Sequence, residues 1–192
     1  QTVGGRILNK ITVAKTAGFC FGVNRAVQMV NSLVDEGKSV WTLGPIIHNP
    51  QTLKELEQKG VRIAKEPREV PPGDTIVIRS HGVAKAVLDE IRELGLPCAD
   101  ATCPFVRKIH KIVAEESRKG RLVFIAGDPS HPEVQGIIGH CSGEYFVFEN
   151  AEAVEKCSKN NPEWKNMPIS VVAQTTFSLS EWKNSLKILK RV

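Results

Sequence analysis

The chain contains one sequence unit twice, and this repeat constrains its fold more than any other feature. A shift of 83 residues places Cys20 on Cys103, and the same shift places His48 on His131. No gap is needed between these two matches. Other residues that coincide under the shift are Gly37 with Gly120, Val40 with Val123 and Gly44 with Gly127. Such internal similarity indicates one structural unit that is built twice.

Each unit is predicted to alternate strands with helices. In the first unit the apolar pattern predicts strands near 11–15 and 39–43 and helices near 22–36 and 51–59. In the second it predicts strands near 96–100 and 121–126, a helix near 104–119 and another from about 132. This alternation is typical of parallel sheets with helical crossovers. The predicted fold class is therefore α/β, with two similar small parallel-sheet domains at 20–102 and 103–192 and an N-terminal strand or tail at 1–19.

Residues that can bind an anion follow several predicted strands. His48, His81 and His131 each come shortly after a strand, and Thr175 follows the strand in PISVVAQTT. Because ligands of parallel sheets gather at the carboxyl ends of the strands, these residues are expected to share one site. Imidazoles can donate hydrogen bonds to phosphate oxygens. Taken singly, such histidines are more often capping or surface residues, and Thr175 or Thr176 could instead cap the last helix.

Cys20 and Cys103 stand immediately before the first long helix of each unit. A helix N-terminus favours the thiolate, which is the form that binds metal or attacks an electrophile. Most single cysteines act as small apolar residues, and this interpretation is kept for Cys98, Cys141 and Cys157. The repeat favours a functional role for the other two. Because two thiolates do not complete a metal site, we expect a third unit beyond residue 192.

The two units differ at two positions that matter for chemistry. Glu133 occupies the place that Pro50 holds in the first unit. A single acid in a nearly symmetric site is the pattern expected of a proton donor. The alternative is a glutamate without a catalytic role, which the helix dipole stabilises in the first turn. His110 takes the place of the apolar Val27, and we interpret it as structural.

Composition excludes several function classes. The 192 residues are 41% hydrophobic with a net charge of +5, and their Lys and Arg residues are spread along the helices, so a nucleic-acid partner is not expected. No apolar run is long enough to cross a membrane, and the N-terminus lacks the apolar core of a secretory signal. Five cysteines, an odd number, argue against a disulfide scaffold and favour a cytoplasmic location.

Six motifs, which run in order from Gly18 to Ser178, resemble one known family. They are GFCFGVNRA, LGPIIHNPQTL, RSHGV, DATCPFVRKIH, SHPEVQGI and AQTTFS. Together they resemble the LytB/IspH family of 4-hydroxy-3-methylbut-2-enyl diphosphate reductases. The resemblance implies three α/β domains around a 4Fe-4S cluster, with one cysteine ligand from each domain. This sequence would hold the first two domains without the third, and its N-terminal strand or tail at 1–19 would pair with the sheet of that third domain.

The resemblance also implies an activity and the residues that carry it. In the non-mevalonate isoprenoid pathway, two electrons and protons would remove an allylic hydroxyl to give isopentenyl and dimethylallyl diphosphates. An electron donor such as ferredoxin or flavodoxin would serve the reaction. Glu133 would deliver the proton and Thr175 would contact the substrate near its hydroxyl. The cluster ligands would be Cys20 and Cys103, and the diphosphate would be bound by His48, His81 and His131. Without the third cysteine, this chain alone is not expected to hold the cluster as the family does.

The residues themselves leave three function classes open. The first is the iron–sulfur reductase, of which this chain would be a fragment. The second is a non-enzymatic module that binds phosphorylated ligands through the histidines and contains no metal. The third is a zinc-dependent hydrolase that uses Cys20, Cys103 and nearby histidines. The iron, sulfide and zinc contents of anaerobically purified protein distinguish these classes.

Overall fold

The fold is taken from a computed structural model that describes residues 2–3, 6–7 and 11–190. The helices are α1 (Phe21–Asp35), α2 (Pro50–Gln58), α3 (Lys85–Glu93), α4 (Pro104–Arg118), α5 (Pro132–Ile138), α6 (Ala151–Asn160) and α7 (Leu179–Leu189). The strands are β1 (Thr2–Val3), β2 (Arg6–Ile7), β3 (Val40–Leu43), β4 (Arg62–Ala64), β5 (Thr75–Ile78), β6 (Cys98–Asp100), β7 (Leu122–Ala126), β8 (Tyr145–Phe148) and β9 (Ile169–Ala173). Within this described part, no helix is long and apolar enough to span a bilayer.

Two parallel sheets form the framework. The first has the strand order β4-β3-β5-β6 and the second the order β8-β7-β9, while β1 and β2 form a small antiparallel pair. In both parallel sheets the strand after the first long helix is central, with the next two strands along the chain on either side of it. This shared order confirms the predicted α/β fold class with two similar parallel-sheet units.

The helices before the central strands confirm the repeat at the level of single residues. Both α1 and α4 have 15 residues, and their N-caps are Cys20 and Cys103. Val30 and Val113, which coincide under the 83-residue shift, are both fully buried against their sheets. The same apolar stripe therefore anchors the same helix in each unit.

Two of the predicted strands need correction. Residues 11–15 form no strand, and the Ile11 and Val13 side chains are 88% and 74% exposed. A segment forms a strand only where a ladder accepts its backbone, and within the described residues neither parallel sheet pairs with this one. The strand near 96–100, assigned to the second unit, is β6 of the first sheet, because it pairs with β5 through Ile76, Val77 and Ile78. Residues 1, 4–5, 8–10 and 191–192, which belong to the predicted terminal segments, lie outside the described residues.

Each sheet is covered by helices on both faces. In the first unit α1 and α2 pack on one face and α3 on the other. In the second unit α4 and α5 cover one face, and α6 and α7 cover the other. The sequence did not indicate α3, α6, β4 or β8, which are short or weakly patterned. The central strand β7 is buried along its whole length, as expected of a parallel strand between two helical layers.

The aromatic core of the second unit depends on Phe124. Its side chain is fully buried, and its ring centroid lies 5.2 Å from that of Trp164 and 5.5 Å from that of Phe146. Phe124→Ala should lower the free energy of unfolding by about 3–5 kcal/mol, because it removes apolar contacts and leaves a cavity. Urea unfolding measures this change. Phe105→Ala, at a position that is 67% exposed, is the matched control and should change stability by less than about 1 kcal/mol. Equal losses in both variants would contradict the assigned core.

Candidate active site

Three histidines predicted to share a site lie side by side. His48 follows β3, His81 follows β5 and His131 follows β7, so each lies at the carboxyl end of a parallel strand. The ring centroid of His81 lies 5.4 Å from that of His48 and 5.4 Å from that of His131. The structure therefore brings the three imidazoles into one cluster in which His81 is central. Two of them come from the first unit and one from the second.

The central imidazole is neutral at physiological pH. Burial is the main cause that lowers the pKa of His81 from 6.5 to about 4, and positive charge on its neighbours contributes, in the order His131, Arg79 and His48. The Nδ1 atom of His81 is buried and has no hydrogen-bond partner among the described residues. A cluster of imidazoles and a guanidinium around one buried ring favours an anionic ligand, which would relieve the repulsion between them.

Arg79 belongs to this site, although the sequence analysis did not identify it. Its guanidinium is half-buried, and burial lowers its pKa. A Cβ atom at Gly44 would lie 2.8 Å from Arg79 Nη1, and Gly44 has a φ of +71°, so this glycine makes room for the guanidinium at the end of β3. Arg79 makes none of the ion pairs found in the described part of the chain. The only sequence signal was its place two residues before His81.

A buried carboxylate joins the two strand-end loops of the second unit. Glu133 lies in the first turn of α5 and is 2% exposed. Its carboxylate accepts hydrogen bonds from the backbone N–H of Thr175 (2.7 Å) and from Thr175 Oγ1 (2.8 Å). Its own N–H donates to Nδ1 of His131 over 3.1 Å. In a neutral His131 the proton is therefore on Nε2, which remains available to donate to a ligand.

These contacts show that Thr175 does not cap the last helix, which was the alternative that the sequence left open for it. The N-cap of the last helix is Ser178, whose side chain accepts from the N–H of Glu181. Thr175 bonds to Glu133 instead, while the hydroxyl of Thr176 accepts from the Gln174 side chain over 2.8 Å. Glu133 is likewise more than a first-turn glutamate on the surface, because it is buried and bonded to another loop. Thr175 and Glu133 are thus held together as a hydrogen-bonded pair.

The two repeated cysteines are brought together at the N-termini of α1 and α4. A Cβ atom at Gly22 would lie 2.8 Å from Cys103 Sγ, so the thiol of Cys103 rests against the first turn of the helix that Cys20 begins. The N–H of Cys103 donates to the carbonyl of Ser80 over 2.9 Å, directly beside His81. Neither thiol makes a side-chain capping bond. The first turns of the two helices therefore lie against each other, and the backbone of Cys103 is bonded to the residue before His81.

The remaining cysteines differ from this pair. Burial raises the pKa of Cys141 to about 11 and also raises the pKa of Cys157, so both are held as thiols. Cys98 is exposed, which corrects the expectation that it is a small buried residue. Across residues 11–190, no three or more His, Cys, Asp or Glu side chains are arranged so that they could hold a metal ion.

Fold and site together define a two-unit parallel α/β protein with an anion-attracting histidine cluster and paired thiols at helix N-termini. The chain belongs to the LytB family, because the family model described as "LytB protein" matches residues 11–192. This finding confirms the resemblance carried by the six motifs.

Relatives and solved structures agree with this assignment. The chain is 45% identical over 175 residues to the 4-hydroxy-3-methylbut-2-enyl diphosphate reductase of Geotalea uraniireducens (strain Rf4), covering 91% of this chain and 60% of that protein. It is 40% identical to the protein of the same name from Thermoanaerobacter sp. (strain X514), covering 94% and 62%.

Among solved structures, that of (E)-4-hydroxy-3-methyl-but-2-enyl diphosphate reductase, described as the terminal enzyme of the non-mevalonate pathway, superimposes with a TM-score of 0.79 at 37% identity, over 94% of this chain and 63% of that one. The Plasmodium falciparum E-1-hydroxy-2-methyl-but-2-enyl-4-diphosphate reductase gives a TM-score of 0.82 at 27% identity, over 92% and 55%. The chain thus spans less than two thirds of the length of these relatives.

If inorganic diphosphate binds at the histidine cluster, we expect its binding to be coupled to proton uptake by His81. An anion beside the ring stabilises the imidazolium, so the pKa of His81 rises from about 4 when the anion binds. A group whose pKa rises on binding strengthens the complex as pH falls, so the Kd for inorganic diphosphate should decrease as the pH is lowered toward about 4, the pKa of His81 in the free protein. Isothermal titration calorimetry of the intact protein, in buffers with different ionisation enthalpies, measures the protons taken up.

The control for this measurement is His81→Gln, which keeps an N–H donor and removes the titrating ring. Because diphosphate itself titrates in the same range, the measured quantity is the difference in proton uptake between the two proteins. Equal uptake by both would show that His81 does not exchange a proton with the bound anion.

Proposed function

We propose that this chain is part of a reductase that removes the hydroxyl of 4-hydroxy-3-methylbut-2-enyl diphosphate and yields isopentenyl and dimethylallyl diphosphates. In this reaction the substrate accepts two electrons and two protons, the allylic C–O bond breaks and water leaves. Support comes from the family, from the relatives that carry this name and from the fold shared with the two solved reductases. The proposal applies to the intact protein, because the chain spans only part of its relatives.

The histidine cluster supports the diphosphate part of the proposal. The ring centroid of His81 lies 5.4 Å from that of His48 and 5.4 Å from that of His131, and the charge of Arg79 also acts on His81, so N–H donors and positive charge are gathered at one place. Two of the rings, His48 and His131, are repeat equivalents from different units. A ligand with two phosphate groups can therefore be held from both units at once.

The single observation that carries the enzymatic proposal is the buried carboxylate of Glu133, two residues after His131, which is bonded to Thr175 in the loop after β9. A phosphate-binding module needs no such group. An acid placed beside the anion site can protonate the leaving hydroxyl. The hydroxyl of Thr175, which is bonded to the carboxylate, can at the same time form a hydrogen bond with the substrate. The hydrogen bond from the Glu133 N–H to His131 fixes the position of the acid relative to the anion site. A substrate bound at that site would therefore be in place for protonation.

Cys20 and Cys103 would hold the 4Fe-4S cluster, together with a ligand from outside the described residues, since an iron–sulfur cluster needs more than two thiolates. The glycine at position 22 supports this assignment, because any side chain there would collide with the thiol of Cys103. When bound, the cluster would supply the electrons for the reduction. An electron donor such as ferredoxin or flavodoxin would deliver them, and the five free thiols support a reducing, cytoplasmic location.

The two other function classes have less support. A zinc-dependent hydrolase has no support from the family or from the named relatives, which are reductases. A non-enzymatic module for phosphorylated ligands accounts for the histidines but leaves the buried Glu133–Thr175 pair without a role. Analysis of the intact, anaerobically purified protein separates the classes. Iron and sulfide support the reductase, zinc alone supports the hydrolase, and absence of all three supports the binding module.

Glu133→Gln tests the proton donor. The amide keeps the size of the side chain and removes the proton, so kcat of the intact enzyme should fall by about 10²–10⁴-fold while diphosphate affinity persists. The matched control is Glu152→Gln, since Glu152 also lies in the first turn of a helix and is exposed. Steady-state kinetics with the reduced electron donor measures both variants. Turnover of Glu133→Gln at the unchanged rate would mean that the proton comes from elsewhere.

Cys103→Ser tests the metal ligand. A hydroxyl replaces a thiolate poorly, so iron and acid-labile sulfide should be lost from the anaerobically purified intact protein. Cys157→Ser is the matched control, because that thiol is held protonated on α6, away from the two helix N-termini, and its replacement should leave the iron content unchanged. Full iron content in Cys103→Ser would remove this cysteine from the ligand set.

A further inference from the structure

A second pair of histidines lies between the two units, apart from the three-histidine cluster. His110 belongs to α4, and His140 follows the end of α5. Their rings are stacked, with centroids 4.2 Å apart and planes 23° from parallel. His110 is only 6% exposed. Since the first unit has Val27 at the equivalent position, an imidazole here is specific to the second unit and is not required by the repeat.

Both rings contact the loop that follows His81. Nε2 of His140 lies 3.1 Å from the carbonyl oxygen of Val83, and because a carbonyl only accepts, this nitrogen carries the proton. On the other ring, Cε1 of His110 would lie 2.6 Å from a Cβ atom at Gly82. Gly82 also has a φ of +70°, so the loop passes close over the ring in a conformation that glycine allows. The residue next to His81 is therefore pressed against the second unit.

The slot that holds His110 is closed from its other side by α5. A Cβ atom at Gly136 would lie 3.2 Å from His110 Nε2 and 3.5 Å from the carbonyl oxygen of His81. One backbone hydrogen bond spans the same interface, from the N–H of Lys85 to the carbonyl of Gly139 over 3.2 Å. The imidazole of His110 thus fills a space between two glycines, and a smaller side chain would leave the loop without its support.

Both imidazoles are neutral in the folded protein. Burial lowers the pKa of His110 to about 4 and also lowers the pKa of His140. The charged groups that face the pair are Asp100 and Arg107 around His110, and Lys85 and Asp89 around His140. A neutral stacked pair packs as an aromatic contact without mutual repulsion, which suits it to a structural task beside a cationic site.

We propose that the His110–His140 pair is a positioning element for the central imidazole: it holds the Gly82–Lys85 loop against the second unit and so fixes His81 between His48 and His131. This inference rests on the proposed function, in which His81 binds the diphosphate. Three donors bind an anion tightly only if their spacing is fixed before binding. A mobile loop would lose conformational entropy on binding, and this loss would weaken the affinity. The pair sets that spacing across the unit boundary.

The titration of the His81 ring, followed by nuclear magnetic resonance in the intact protein, tests the positioning without any substrate. The pKa of His81 is about 4 in the unchanged protein, chiefly because the ring is buried. In His110→Ala we expect the loop to loosen and the ring to become hydrated, so that its pKa rises toward the ordinary value of about 6.5. His140→Gln, which keeps an N–H donor for the Val83 carbonyl, should give a smaller rise than His140→Ala.

The affinity for inorganic diphosphate is the second measurement. His110→Ala should raise the Kd by about tenfold, the usual effect of losing one hydrogen bond to a charged group. Val27→Ala is the matched control, because it truncates the equivalent position on the equivalent helix of the first unit. Val27→Ala should change the melting temperature, and it should leave the Kd for inorganic diphosphate and the pKa of His81 unchanged.

The outcomes separate this inference from the proposed function. If His81 titrates in His110→Ala as it does in the unchanged protein, the positioning role is overturned, whatever the affinity. If the unchanged protein fails to bind diphosphate, the proposed function fails, and the titration still decides the positioning role. Should His110→Ala not fold, His110→Gln and His140→Ala are compared with Val27→Ala in the same two measurements.

Discussion

Parallel strand pairing is the constraint on which the rest of this molecule depends. Because parallel strands end at the same edge of a sheet, the strand pairing alone brings residues that are far apart in sequence close together at that edge. His48 and His81 come together at the end of the first sheet, and Glu133 meets Thr175 at the end of the second. A single backbone bond, from the N–H of Cys103 to the carbonyl of Ser80, then joins the first helix of one unit to the sheet edge of the other.

The polar groups at this edge are consistent with the anion site of the proposed function. Buried polar groups normally have hydrogen-bond partners, yet Nδ1 of His81 and Nε of Arg79 have none among the described residues. The nearby buried carboxylate of Glu133 does not neutralise them, because its oxygens accept from Thr175. Both nitrogen atoms are buried, as are three further side-chain atoms without a partner in the described part of the chain, Thr42 Oγ1, His110 Nε2 and Ser185 Oγ. In the proposed function an anion would be bound by the accessible N–H groups of the same histidine and arginine side chains, whose positions the fold sets in advance.

Local patterns and the repeat were sufficient to predict the helices that carry the two cysteines, since Val30 and Val113 belong to an apolar stripe that is visible in the sequence. Long-range pairing was not predictable in this way. The strand β6 stands next to Cys103 in sequence, yet its partner is β5 of the other unit. Thr175 had two reasonable roles, and only its contact with Glu133 decides between them. Arg79 had no periodic signal, because its burial depends on the space that Gly44 leaves at a neighbouring strand end.

The differences between the two units follow from what each kind of chemistry requires. A diphosphate has two similar phosphate groups, so equivalent histidines from both units can bind it, and the repeat keeps His48 and His131 alike. Protonation of one hydroxyl is directional, and a second acid in the site would add a buried charge without a partner. In the proposed reaction the acid is therefore needed once, at Glu133, where the first unit has Pro50. The same reasoning applies to His110 against Val27, since the His110 ring packs against Gly82, in the loop that follows the central imidazole. In the proposed function, the repeat would supply two of the binding histidines, while His81, Glu133 and His110 would be additions made in one unit only.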